Sequence, residues 1–414
     1  MISYKRVWLR GHGIALLLIF YTINMSSQTA YITNTNVTSV SVINVLTNTV
    51  IDSITVGTYP QGVSVSHDGT KVYITNSGPN NVSVINTATN TVTATIPVGS
   101  WPMGICINPA GTKVYVANYN DGTVSVINTA TNTVIALIPS GVNAFGVYVS
   151  PNGNLVYVTN WGANTVSVIN ASNNSVIATI PVGLRPQDIT VTPDGSKAYV
   201  TNWGAKTVSV INTVNNTVSA TIIVDSVPNG VTVSPDGSRV YVANQVSNTV
   251  SVINTSSDNV IATIPVGNAP NGISITPDGT KVYVAVSNDN AVNVINTSTN
   301  TVIDTIPVSI GPTAMGRFIS PYTSTVGIPE LSHENEVIFL YPNPANTILN
   351  IHCQLGIRNY ELGIADIMGN EVYKETINGI DNSIDISDLS NGVYFYQVNS
   401  EKGIVSKGKF VVIK

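Results

Sequence analysis

Seven tyrosines, Tyr31, Tyr73, Tyr115, Tyr157, Tyr199, Tyr241 and Tyr283, stand at a constant interval of 42 residues. A fixed period of this length means one structural unit written several times, and it fixes the architecture before any residue is read individually. The unit runs K-V-Y-V-T-N, a short loop, T-V-S-V-I-N-T-x-T-N, then T-V-I-A-T-I-P-V-G and x-x-P-x-G-V-x-V-S-P-D-G-T. It holds four short runs that alternate apolar and polar residues and are rich in Val, Ile and Thr, which is the pattern of β-strands. Turn chemistry separates the runs. Ser-Pro-Asp-Gly-Ser (234–238) and Thr-Pro-Asp-Gly-Thr (276–280) predict tight hairpins with Gly in the left-handed conformation. Asn-Thr-Ala-Thr-Asn at 86–90 and 128–132 predicts a second, polar hairpin.

Four antiparallel strands per ~40 residues predict a propeller blade, so the fold class is all-β, a seven-bladed β-propeller. Composition agrees. Charged residues are 9 % of the chain and no Glu occurs between residues 28 and 321, so good helix formers are scarce. The phase of the repeat predicts how the ring closes. The chain enters at Tyr31-Ile-Thr-Asn34, without an inner strand, and ends with a spare one at 312–321. The first blade should therefore take three strands from the N-terminal end of the repeats and one from their C-terminal end, leaving no open edge.

The two ends of the chain read differently. Lys5, Arg6 and Arg10 precede an apolar run, Ile14 to Phe20, and small residues Ser26 and Ser27 follow, which is the layout of a secretory signal peptide over residues 1–27. The run is shorter than the ~20 residues a membrane span needs. After a polar linker, 322–336, Glu, Asp and Lys return. Seven short alternating runs in 337–414 predict a small Ig-like β-sandwich. Cys106 and Cys353 lie in different parts of the chain within apolar runs, and each is read as a small buried residue rather than half of a disulfide.

The repeated residues resemble the YVTN-type β-propeller family of surface and exported proteins. Tyr157-Val-Thr-Asn160 and Tyr199-Val-Thr-Asn202 carry its name motif, and V-S-V-I-N occurs in six of the seven repeats. The resemblance covers 28–321 and implies a seven-bladed propeller, but no single activity. The tail resembles the C-terminal sorting domain of type IX secretion in Bacteroidetes-type bacteria. The matching segments are Leu340-Tyr-Pro-Asn-Pro-Ala-Asn346, Asp388-Leu-Ser-Asn-Gly-Val-Tyr394 and Lys409-Phe-Val-Val-Ile-Lys414. This implies export across the outer membrane, with the type IX machinery engaging residues 337–414, and a secreted or cell-surface product.

A formal charge of −5 excludes a basic nucleic-acid binder on bulk electrostatics. No phosphate loop or haem-attachment motif occurs, so no cofactor and no metal are expected. Asp68, Asp194, Asp236 and Asp278 fall in repeated Asp-Gly turns and read as turn formers. The one histidine of the repeats, His67, stands where Pro occurs in other units and reads as a surface turn residue. The first positions of the inner strands, Gln61, Met103, Phe145, Gln187–Asp188, Asn229, Asn271 and Thr313, should ring the mouth of the central channel.

Strand order places the loops before the inner strand and after the second strand on one face, with both hairpins on the other. The loop face collects Tyr59, Trp101, Tyr119, Phe145, Trp161 and Trp203 on adjacent blades, with Arg185 and Lys206 among them. Aromatic planes beside amides and Arg suit stacking on sugar faces or anchoring a peptide. The candidate ligand-binding set is therefore Tyr59, Trp101, Tyr119, Phe145, Trp161, Arg185, Asp188 and Trp203. The alternative is that these rings cap the blade cores. The function expected is a non-catalytic binding or adhesion module for an extracellular polysaccharide or protein. A purely structural surface-layer component and a lactonase- or lyase-like enzyme are the alternatives. The last is poorly supplied with clustered acids or histidines, having little beyond Asp188 and Asp225.

Overall fold

The computed structural model describes residues 28–321, 338–341, 345–353, 360–366, 370–377, 381–400, 403–412 and 414. The expected leader and linker lie outside them, as do the side chain of Cys353 and the Tyr-Pro-Asn-Pro side chains of the first tail motif. Contacts divide the chain into two compact units, one of them Ser26–Thr323 and the other containing Ser324–Lys414.

The first unit is a ring of seven antiparallel sheets. Blade 1 contributes Thr29–Asn34, Ser39–Asn44 and Thr49–Thr55. Blade 2 runs Pro60–Val65, Lys71–Asn76, Asn81–Asn86 and Thr91–Pro97 from the channel outward. Blades 3 to 7 repeat this order, their inner strands being Pro102–Ile107, Ala144–Val149, Pro186–Val191, Pro228–Val233 and Pro270–Ile275. Segment 312–320 supplies the inner strand that blade 1 lacks. Tyr31 donates its N–H to the Phe318 carbonyl (2.9 Å), Thr313 to Thr33 (2.9 Å) and Ser320 to Thr29 (2.8 Å). Phe318 is fully buried among Tyr31, Tyr283 and Val294, so the core of the last blade is continuous with that of the first.

Each residue of the Y-V-T-N motif has a separate packing task. The tyrosine ring is buried, and its hydroxyl reaches towards the next blade; Tyr199 donates to Asp258 (2.7 Å) and Tyr283 to Asn48 (2.6 Å). The threonine hydroxyl joins two inner strands. Thr75 accepts the Gly62 N–H (2.8 Å) and donates to the Met103 carbonyl (2.7 Å) of the next blade. Thr201 does the same between Asp188 and Asn229. Thr33 repeats it at the closure, between Ala314 and Gln61. The asparagine amide binds the third strand, Asn118 donating to Ser125 (2.9 Å). Its side chain also packs on the glycine of the P-V-G turn. A Cβ on Gly99 would lie 2.6 Å from Asn118 Cγ, and one on Gly57 2.7 Å from that of Asn76. Side-chain size at that turn is therefore set by the asparagine opposite.

The second unit has two sheets. One orders Ile338–Tyr341, Ile348–Cys353 and Asp381–Asp385; the other orders Glu371–Ile377, Tyr360–Ala365, Gly392–Ser400 and Gly403–Val412. Leu349, Ile351, Leu362, Ile364, Val398 and Phe410 fill the space between them. Ala345 donates its N–H to the Val411 carbonyl (2.7 Å), tying the first tail motif to the terminal strand. No described helix is long and apolar enough to cross a membrane.

Candidate functional site

The aromatic sector is built on a backbone position used seven times. The residue just before each inner strand has a left-handed backbone: Tyr59 (φ 52°), Trp101 (55°), Asn143 (56°), Arg185 (54°), Val227 (62°), Ala269 (56°) and Gly311 (71°). Gly and Asn take this conformation easily, whereas other L-residues are strained in it. Two hydrogen bonds enforce it. Arg185 donates its N–H to Asn164 Oδ1 (2.8 Å), and its carbonyl accepts the Trp203 N–H (3.0 Å). Trp101 is clamped identically by Asn80 (2.8 Å) and Tyr119 (3.0 Å). The scaffold thus holds bulky side chains outward where glycine would cost less. The backbone state is common to every blade, Val227 and Ala269 included, so what distinguishes blades 2, 3 and 5 is the large side chain each places there.

The rings form two groups. Tyr59 and Trp101 are exposed and stack at 6.3 Å with 29° between planes. Trp161 and Trp203 are half-buried, 6.4 Å apart and tilted by 51°. The Arg185 guanidinium lies 4.6 Å from the Trp161 ring centre and 5.5 Å from that of Trp203. Tyr119 packs edge-on against Trp161 at 6.1 Å. Arg185 is exposed and has no carboxylate partner among the described residues, so its fork of donors is available beside two indole faces.

Two members of the expected set lie elsewhere. Phe145 is buried, not presented. It meets Met103 and Met315 across the channel axis, with Tyr119 edge-on above it at 5.9 Å. These three residues form an apolar plug, because they come from blades 3 and 4 and from the closing segment and point at the same space. The expected ring of amides is reduced accordingly. Gln187 and Asn229 bond to each other (3.0 Å) beside the plug. Asp188 is buried and faces the cavity on the other side of it. Its carboxylate accepts the N–H groups of Ile189 (2.9 Å) and Val231 (3.1 Å), while burial pushes its pKa up to about 6. The reason is the bulge in each inner strand, where pairing slips between the first and fourth residues and turns the third towards the channel. His67 is exposed at the rim of that same cavity. The turn aspartates act as expected, Asp68 accepting from Ser66 Oγ (2.6 Å) and from the Thr70 N–H (3.0 Å). No group of metal-ligating side chains occurs among the described residues.

Residues 339–414 match the family described as "Secretion system C-terminal sorting domain". Residues 19–135 match "Lactonase, 7-bladed beta-propeller", and residues 163–313 match "Choice-of-anchor I domain". Among solved structures the chain is similar to a protein of unknown function from Desulfotomaculum acetoxidans, at 21 % identity with a TM-score of 0.62, over 70 % of this chain and 100 % of that one. A putative 6-phosphogluconolactonase from Bacteroides uniformis has 19 % identity and a TM-score of 0.60, over 70 % and 98 %. Kuenenia stuttgartiensis hydrazine synthase has 21 % and 0.57, over 62 % and 88 %. At such identities these structures show the shared fold. No curated protein matches the chain. The tail makes this a secreted or cell-surface protein, delivered by type IX secretion.

Proposed function

We propose that this chain, a seven-bladed β-propeller ending in a type IX sorting domain, is a non-catalytic binding module that engages an extracellular polysaccharide through its aromatic face. The type IX machinery takes hold of residues 337–414, and the propeller is the passenger. The observation that carries the reading is Arg185 held between Trp161 and Trp203 on a strained, doubly clamped backbone. Indole faces stack on sugar rings, and the guanidinium donates to hydroxyls or carboxylates. Tyr59 and Trp101 extend the same surface over blades 2 and 3. The match to a choice-of-anchor domain supports a surface role.

The test is a glycan and surface-extract binding screen on the full chain beside Trp161→Ala/Trp203→Ala. Saturable binding that the double variant loses while staying folded supports the reading. Binding that survives it refutes the site. The lactonase match over residues 19–135 favours a second reading, hydrolysis of a lactone, and turnover of a lactone panel would establish that instead.

A further inference from the structure

The central cavity on the far side of the plug plays no part in the reading above. It measures about 290 Å³, near the lower limit of roughly 300 Å³ for ligand pockets. Pro193, Pro235 and Pro277 of the hairpin turns stand at its rim, which places it at the face opposite the aromatic sector. Five equivalent inner-strand positions along its wall carry a hydroxyl, Ser64, Tyr148, Thr190, Thr232 and Ser274, and a sixth carries Cys106. At the seventh such position stands Gly316, with φ 106°, and this departure from the repeat turns Arg317 into the cavity while Phe318 takes the place in the core.

Arg317 breaks the repeat pattern of the lumen, whose other ionisable lining groups are Asp188, Cys106, Tyr148 and, at the rim, His67. In the other blades the corresponding residue is Val or Ile, Val65 and Val233 for example. Its guanidinium donates to the Tyr148 hydroxyl and lies 4.9 Å from that ring's centre. One hydrogen bond leaves most of its five donors unused. No carboxylate pairs with it among the described residues: Asp188 shares the lumen, but its oxygens are occupied by the Ile189 and Val231 N–H groups. Arg317 is exposed to the lumen, so its free donors are open to an anionic group that enters there.

We infer that the lumen binds a small hydroxylated monocarboxylate of sugar-acid size, with Arg317 holding the carboxylate and Thr190, Thr232 and Ser274 meeting its hydroxyls. A monocarboxylate fits better than a phosphate because Arg317 is the one Lys or Arg among the described residues that line the lumen, and Asp188 stands in it as a further acid. The planar guanidinium matches a carboxylate by paired hydrogen bonds.

The experiment is calorimetric titration of the full chain with D-gluconate and D-glucuronate, against D-glucose and D-glucose 6-phosphate. Both acids are expected to bind at least tenfold more tightly than the neutral sugar and the phosphate. Arg317→Gln should lose at least tenfold, and Arg317→Lys should retain part of the affinity, which guards against loss by misfolding. Trp161→Ala/Trp203→Ala should leave this binding unchanged, separating it from the aromatic face. Absence of acid binding by the folded chain, equal binding by Arg317→Gln, or preference for the phosphate would each overturn the inference.

Discussion

Replacing Arg185 by Ala and by Gly separates backbone strain from side-chain contact. Both changes remove the guanidinium from Trp161 and Trp203, a loss of about 0.5–1 kcal/mol at an exposed site. They differ in one respect. At φ 54° an L-residue with a Cβ is strained by roughly 1–2 kcal/mol, and glycine is not. Glycine also gives the unfolded chain more freedom, which costs roughly 0.5–1 kcal/mol. The balance favours Arg185→Gly over Arg185→Ala by about 0.5–1 kcal/mol. At an exposed strand position such as Ile177, where φ is not positive, the order reverses and Ala is the more stable. Denaturant titration of the four variants measures both differences. An Ala variant as stable as Gly or more stable at 185, with the usual order at 177, would refute the claim that the scaffold strains this residue to display it.

Further outcomes follow from the packing. Phe318→Ala empties a fully buried site at the closure and should cost about 3–5 kcal/mol by denaturant titration; a cost below 1 kcal/mol would show that segment 312–320 does not seal the ring. Gly99→Ala drives a Cβ to 2.6 Å from Asn118 Cγ, and Asn118→Ala in the same chain should recover part of the loss, so the double-mutant cycle should show coupling of about 1 kcal/mol; strict additivity would contradict the packing of motif on turn. Asp188 holds its proton more tightly folded than unfolded, because burial raises its pKa to about 6 from 3.8. That contribution is complete below about pH 4 and fades as pH rises through 6, so the wild type should lose up to about 3 kcal/mol between pH 4 and 7 relative to Asp188→Asn. Parallel stability curves for the two proteins would remove Asp188 from the explanation.

The sequence made the ring legible because its determinants are local and repeated. The interval between tyrosines, the turn chemistry and the complementary ends dictate blade number, strand order and closure, and strand order alone puts Trp101, Trp161 and Trp203 on one face. What escaped depends on backbone detail within the unit. Position 185 precedes Pro186, which suggests extended backbone; its left-handed state comes from Asn164 and Trp203, distant by 21 and 18 residues. Phe145 looked like its aromatic neighbours, yet its strand aims it at Met103 and Met315 across the axis. The bulge sends Asp188 to the opposite side of the plug. Arg317 was hidden by the same logic. A repeat assigns it to the core, and only the backbone at Gly316 redirects it. One signal was present in the sequence: the slot at 59, 101 and 185 changes identity in every copy of the repeat, and in these three it holds Tyr, Trp and Arg.

All tryptophans of residues 28–414 lie on the aromatic face, so their emission reports directly on that surface. Titrating the full chain with a polysaccharide that it captures, and following tryptophan emission alongside binding, tests the central claim most directly. Emission should change saturably, with the same midpoint as binding, and Arg185→Ala should weaken both together. Saturable binding with tryptophan emission unmoved would place the ligand elsewhere on the ring.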